Sequence, residues 1–241
     1  MKTIERWHSD RLEQELTVAR WGHFGVPVLV FPTAGGDAEE IERHHLVDAC
    51  TGLVEAGRVK IYSCDSVAGR AIATATGTAE YRMWLLNQFH QAVRHEVVPA
   101  IKADMGGSAQ RIVTAGASIG AFNAVALLCR FPDAFEAAIG MSGTYRLQRF
   151  LEGGWSEDLY FASPVDFLPG LDGDQLEVLQ QRRVILASGE GAHEDIGESW
   201  ALAAVLGNKG VPNRVDSWGP ETIHDWPTWW RMLPQYLEET C

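Results

Sequence analysis

The run V-T-A-G-A-S-I-G-A-F-N-A-V-A-L-L, residues 113–128, sets one polar residue between two glycines at the junction of two apolar elements. β-Branched residues lead into Gly116-Ala117-Ser118-Ile119-Gly120, and a segment that is apolar almost all round follows. A strand that turns at once into a buried helix has few backbone paths open to it. The corner holds its central residue in an unfavourable conformation, and side chains two residues to either side would collide, so glycine suits both places. Ala121 and Ala124 allow the next helix to lie close to a sheet. A serine in this setting stands on a nucleophile elbow, with its hydroxyl above the sheet near the positive end of the following helix. The Ile119 amide is then placed to donate to a developing oxyanion. An ordinary strand–helix turn is the competing reading of the same five residues.

The rest of the chain repeats the alternation. Residues 26–33, V-P-V-L-V-F-P-T, are continuously apolar up to Pro32 and A-G-G-D, the pattern of a strand buried on both faces. Residues 37–57 carry Asp37 as a cap, acids in the first turn and a closing glycine, which predicts a helix. Further strands are expected at 58–66, 111–118, 135–143, 182–189 and 212–219, and helices at 79–103, 119–131, 198–210 and 226–239. Pro99 should kink or end the 79–103 helix. Strands alternating with helices predict an α/β fold: a mostly parallel central sheet with helices on both faces, spanning 1–241 as one domain. The aromatic-rich stretch after Gly143 has the length of a short cap only. Its Phe150, Trp155, Tyr160 and Phe161 either wall a modest, partly open pocket or fill the edge of the core. Trp84 and Trp200 read as core, as does at least one of Trp226 and Trp230.

Charge and cysteine usage narrow the partners. A formal net charge of −12 speaks against nucleic acid or an anionic membrane as the main partner, since both need basic surface. No apolar stretch approaches the ~18 residues needed to span a bilayer, and the charged start M-K-T-I-E-R-W-H lacks the apolar core of a secretory signal. Cys50, Cys64, Cys129 and Cys241 are scattered without a C-x-x-C pair, a pattern suited to a reducing cytoplasm. Cys129 reads as a small buried hydrophobe. His44-His45, His90, His95 and the His193-Glu194 pair lack the partners of a metal site, so neither metal nor cofactor is expected. Homo-oligomerisation stays open.

A nucleophilic serine needs a base, and the base needs an orienting acid. On this architecture the chain order is serine, acid, histidine. Of the eight histidines only His193 and His224 follow Ser118. His224 lies in W-G-P-E-T-I-H-D-W-P-T-W-W, a loop before the closing helix whose start is marked by Asp225 and Pro227. The acid should leave the end of the strand V-I-L-A-S-G, where Glu190, Glu194 and Asp195 all qualify.

Taken together, V-L-V-F-P-T-A-G-G-D, G-A-S-I-G-A-F-N-A-V, M-S-G-T-Y-R-L-Q-R-F and H-D-W-P-T-W resemble the putative-esterase family of α/β hydrolases. That family includes esterase D-type enzymes, feruloyl esterases and the mycolyltransferases of mycobacterial cell walls. The resemblance runs from the strand at 26 to the end of the chain. It implies the α/β-hydrolase fold, Ser118 as nucleophile and His224 as base. The acid looks most like Glu194, with Glu190 as the rival. The oxyanion donors map onto Ile119 and Gly35, with Ala34 as an alternative. Two departures stand out: Ala121 replaces a second glycine after the elbow, and Thr33-Ala34-Gly35-Gly36 stands where many relatives carry His-Gly. The implied activity is hydrolysis of a small or aryl carboxylic ester through an acyl-enzyme. Acyl transfer with the same triad, or a binding protein with the triad idle, are the alternatives.

Overall fold

The computed structural model describes residues 2–107, 110–148, 151–152 and 154–241. Among these, eight strands form one sheet in the order β1-β2-β4-β3-β5-β6-β7-β8. They are β1 (Lys2–Ser9), β2 (Gln14–Trp21), β3 (Val26–Phe31), β4 (Val59–Cys64), β5 (Ile112–Ala117), β6 (Phe135–Met141), β7 (Arg183–Ser188) and β8 (Asn213–Ser217). The six strands β3 to β8 are mutually parallel, while β1 pairs with β2, and β2 with β4, antiparallel. The helices are α1 (Glu40–Arg43), α2 (Leu46–Ala49), α3 (Thr51–Glu55), α4 (Val67–Ala73), α5 (Ala79–Ala92), α6 (Val98–Asp104), α7 (Ile119–Arg130), α8 (Glu157–Ala162), α9 (Pro164–Phe167), α10 (Gly173–Leu179), α11 (Ile196–Asn208) and α12 (Trp226–Thr240).

The two-residue period of a strand divides the core into two layers. In β3, Leu29 and Phe31 face the layer that holds Phe89 and Phe122, while Val28 and Val30 face the layer that holds Trp229, Met232 and Tyr236. Burial of both faces explains why β3 reads as an unbroken apolar run. In α7 every residue from Ile119 to Cys129 is buried, between the sheet and the helices α5, α8 and α9. Burial of each large apolar side chain is worth roughly 1.5–3 kcal/mol, so this helix anchors the sheet's middle.

One element was missed and three expectations need correction. The N-terminal hairpin β1–β2 escaped sequence reading because β1 is an edge strand with little buried surface: Ser9 is buried, Thr3 and Trp7 are partly covered, and the rest is exposed. The 37–57 segment is three short helices, broken at His45, whose φ of 60° is left-handed. Pro99 neither ends nor sharply interrupts the 79–104 helix. A π-turn at Val93–Val97 lets the Val98 amide reach the Val93 carbonyl, and the proline then falls in the first turn of α6, where its missing N–H does least harm. Trp200 is not core; it is 56% exposed.

The excursion between β6 and β7 carries α8, α9 and α10 and packs along α5 and α7. Tyr160 and Phe161, with Phe131, Phe167 and Arg130, line an open cleft of about 310 Å³. Arg130 and Phe131 lie at the C-terminal end of α7, whose twelve residues put that end about 18 Å from Ser118. These aromatics therefore do not wall the serine. Trp155 is exposed, and Phe150 lies outside the described residues.

Candidate active site

Ser118 has φ 58° and ψ −122°, a strained conformation for a residue with a side chain, and caps the N-terminus of α7. The turn is pinned by its own backbone. The Ser118 amide donates to Met141 O at 3.0 Å, and its carbonyl accepts from Ala121 at 3.2 Å and Thr144 at 3.4 Å. The two glycines of the motif are required by contact. A Cβ on Gly116 would sit 2.4 Å from the Gly120 carbonyl carbon, and one on Gly120 would sit 2.5 Å from Phe31 O and 2.6 Å from Pro32 O. The elbow is thus wedged against the end of β3.

From that end rises the loop Thr33–Gly36. The buried Glu40 carboxylate holds it from below, accepting from the Thr33 amide at 2.7 Å and the Thr33 hydroxyl at 2.8 Å. Gly36 closes the turn by donating to Thr33 O, and Gly35 stands exposed at its tip. Ala34 O and the Ile119 side chain both come close to Gly69 of α4, so the loop and the elbow are neighbours.

His224 and Glu194 arrive on two loops tied together by main chain. Trp218 donates to Ser188 O, Glu190 to Gly219 O, Gly191 to Thr222 O and His224 to Ala192 O. The approach is so close that a Cβ on Gly189 would fall 2.1 Å from Thr222 O. Asp225 caps α12 with its side chain on the Trp226 amide, and Pro227 lies in the first turn, as the sequence predicts. His224 Nδ1 lies 3.7 Å from Glu194 Oε2, within ion-pair range but longer than a hydrogen bond. The imidazole also meets Trp229 edge-on at 5.2 Å between ring centres.

The three acidic candidates part company here. Glu190 accepts from Ser217 at 2.5 Å, and Asp195 caps α11. Glu194 alone of the three lies against His224, with its side chain 1% exposed. Burial pushes its carboxyl up, but His224 and the hydroxyls of Ser142 and Ser188 outweigh that and hold it below the usual carboxylate range. Ser142 donates at 2.6 Å to Oε1 and Ser188 at 3.1 Å to Oε2.

Several partners were not legible beforehand: Ser142, Ser188, Trp229, Glu40 and also Glu198. The buried Glu198 carboxylate takes the amides of Tyr145 and Arg146 and the Arg146 guanidinium, fixing the chain just after β6. A serine following a strand is the one signal that points to Ser142, but S-G also reads as a plain turn. Two of the remaining histidines have other employment. His44 stacks on Trp226 at 4.4 Å, and buried His90 bonds Asn123 at 3.1 Å. Cys50, Cys64 and Cys129 are free and buried. No helix among the described residues is long and apolar enough to cross a membrane.

A mostly parallel sheet with a strained serine at the start of the helix after its central strand is an α/β-hydrolase architecture. Residues 33–240 match the Putative esterase family, and the chain belongs to it. Solved structures agree on the fold. A ferulic acid esterase superposes with a TM-score of 0.71 at 19% identity, over 98% of this chain and 95% of its own. An S-formylglutathione hydrolase from Agrobacterium tumefaciens gives 0.69 at 12% identity, over 99% and 94%. The enterobactin esterase of Shigella flexneri gives 0.66 at 21% identity, over 99% of this chain and 58% of its own. No curated protein matches the sequence.

Proposed function

We propose that this protein is a serine esterase that hydrolyses a small or aryl carboxylic ester through an acyl-enzyme. The Ser118 hydroxyl attacks the ester carbonyl while His224 takes its proton, and the amides of Ile119 and Gly35 stabilise the oxyanion. As the tetrahedral species collapses, the carbonyl–alkoxy bond breaks and His224 hands the proton to the leaving alcohol. Water then attacks the acyl-enzyme by the same proton route and releases the acid. Glu194 orients the imidazole and stabilises its charged form.

One observation supports this reading: a strained Ser118 stands at the carboxyl edge of the same sheet whose β7 and β8 ends carry the loops of Glu194 and His224. Ser118 is tied through Met141 to the strand end from which Ser142 reaches Glu194, and Glu194 abuts His224. The printed names of the three structural relatives, all ester or thioester hydrolases, agree with it.

The test is Ser118→Ala assayed with p-nitrophenyl acetate and a fluorophosphonate probe. Turnover should fall by about three to six orders of magnitude and labelling should vanish, with little change in urea stability. Unchanged turnover refutes the assignment of the nucleophile. Failure of folded wild-type protein to label points instead to an idle, binding role. Faster acyl-enzyme breakdown on addition of alcohols would make the protein an acyltransferase.

A further inference from the structure

Glu194 does not stand alone behind His224. Trp229 Nε1 donates to Ser142 Oγ at 2.9 Å, Ser142 Oγ lies 2.6 Å from Glu194 Oε1, and Trp229 packs its ring on His224. These four residues close a circuit drawn from the end of β6, the loop after β7, the loop before α12 and the first turns of α12 itself.

Donor and acceptor chemistry gives the circuit one direction. An indole N–H can only donate, and an ionised carboxylate can only accept. The single proton of the Ser142 hydroxyl must therefore point at Glu194, with the indole occupying one of its lone pairs. Ser188 is not committed in this way. Its one proton is shared between Gly189 O at 2.9 Å and Glu194 Oε2 at 3.1 Å. Both residues that hold Glu194 through Ser142 are buried: Ser142 is 3% exposed and Trp229 is 3% exposed.

The backbone at Ser142 points the same way. Its φ is 49°, a left-handed conformation that glycine adopts at less cost than serine, yet glycine occupies the following position instead. The strain is tolerated where a hydroxyl is needed and a bare Cα would be more stable.

We infer that Ser142, oriented by the Trp229 indole, is the positioning residue that fixes Glu194 against His224. The inference rests on the Ser118–His224–Glu194 reading above. Ser142 and Trp229 are not themselves the reacting groups. Their effect passes through the carboxylate, by aiming Oε2 at the imidazole and by keeping the group ionised. Among the described residues, the side-chain partners of the Glu194 carboxylate are one titratable group, His224, and the neutral hydroxyls of Ser142 and Ser188.

The experiment compares Ser142→Gly, Ser142→Ala and Trp229→Phe with wild type, alongside Glu194→Ala and Ser118→Ala. Ser142→Gly removes the hydroxyl while relieving the backbone, so a purely structural role predicts equal or higher stability and unchanged turnover. The positioning role predicts that kcat falls about 10- to 100-fold with KM nearly constant, as expected for loss of a hydrogen bond to a charged group. The pH profile of kcat/KM should also shift, because Glu194 loses a donor to its ionised form. Trp229→Phe, which keeps a smaller aromatic ring and deletes the N–H, should lower kcat by about 3- to 10-fold. Wild-type kcat and an unmoved profile in a folded Ser142→Gly protein, with Glu194→Ala impaired, overturn the inference and leave the triad standing. If Ser118→Ala and Glu194→Ala are also fully active, the underlying reading has failed instead.

Discussion

Adding one methyl group to Gly120 tests the elbow by the sign of its effect. Gly120 is the second residue of α7, and helix propensity alone predicts that alanine there stabilises the protein by about 1 kcal/mol. The tertiary contact predicts the opposite. The new Cβ would lie 2.5 Å from Phe31 O and 2.6 Å from Pro32 O, both main-chain atoms that cannot rotate away. To reach ordinary contact near 3.4 Å the start of the helix must retreat by about 0.9 Å. Such overpacking costs about 1–3 kcal/mol, which outweighs the propensity gain. Catalysis should suffer more than stability. Ile119 precedes the wedge, and an amide meant to stand about 3 Å from an oxyanion loses most of its effect when displaced by that distance; one lost donor lowers kcat about 10²–10³-fold. The assay is kcat and KM for p-nitrophenyl acetate beside a urea titration of Gly120→Ala. A variant more stable than wild type with wild-type kcat would show that the contact with β3 does not govern the corner.

Two further predictions concern stability. Burial, with the Arg130 charge a lesser cause, lowers the His90 imidazole to about 3, against 6.5 when unfolded. Between those values the unfolded chain binds the proton and the folded one does not, so stability falls as the pH drops from about 6.5 toward 3. The loss reaches as much as about 3 kcal/mol at pH 4, and a His90→Leu/Asn123→Leu double replacement should flatten that slope in urea midpoints; an unchanged slope rejects the buried neutral imidazole. Asp104 accepts from Lys60, Tyr62 and Arg20, each at 2.5 Å, with the Lys60 side chain only 8% exposed. Asp104→Ala strands that ammonium and should cost about 3–5 kcal/mol while neutral-pH turnover stays at the wild-type level; a change under 1 kcal/mol would mean that water repairs the site.

Much of the fold was readable from local pattern. The parallel strands announced themselves as apolar runs because both faces are covered, and α7 as a helix apolar all round because it is buried. Edges and interruptions were not readable in the same way. β1 buries almost nothing and so leaves no apolar alternation, while the break at His45 falls on a non-glycine residue in a left-handed conformation that no turn residue announces. Pro99 looked like a helix end, since the widened turn that accommodates it has no sequence mark.

The site divides along the same line. Chain order and the G-x-S-x-G corner were enough to nominate Ser118 and His224, because the corner is a local steric problem with few solutions. Sequence alone determined that a serine would be strained between an apolar strand and a buried helix. The residues by themselves left Glu190, Glu194 and Asp195 open, since the three lie within six residues and share one chemistry; the family resemblance leaned to Glu194 with no contact to support it. Only the tertiary structure separated them, by which carboxylate the main-chain pairing of two distant loops carries against His224 and which hydroxyls close around it. Short-range sterics is written into neighbouring residues; a contact between residues 142, 194, 224 and 229 exists only once the sheet has brought its strand ends together.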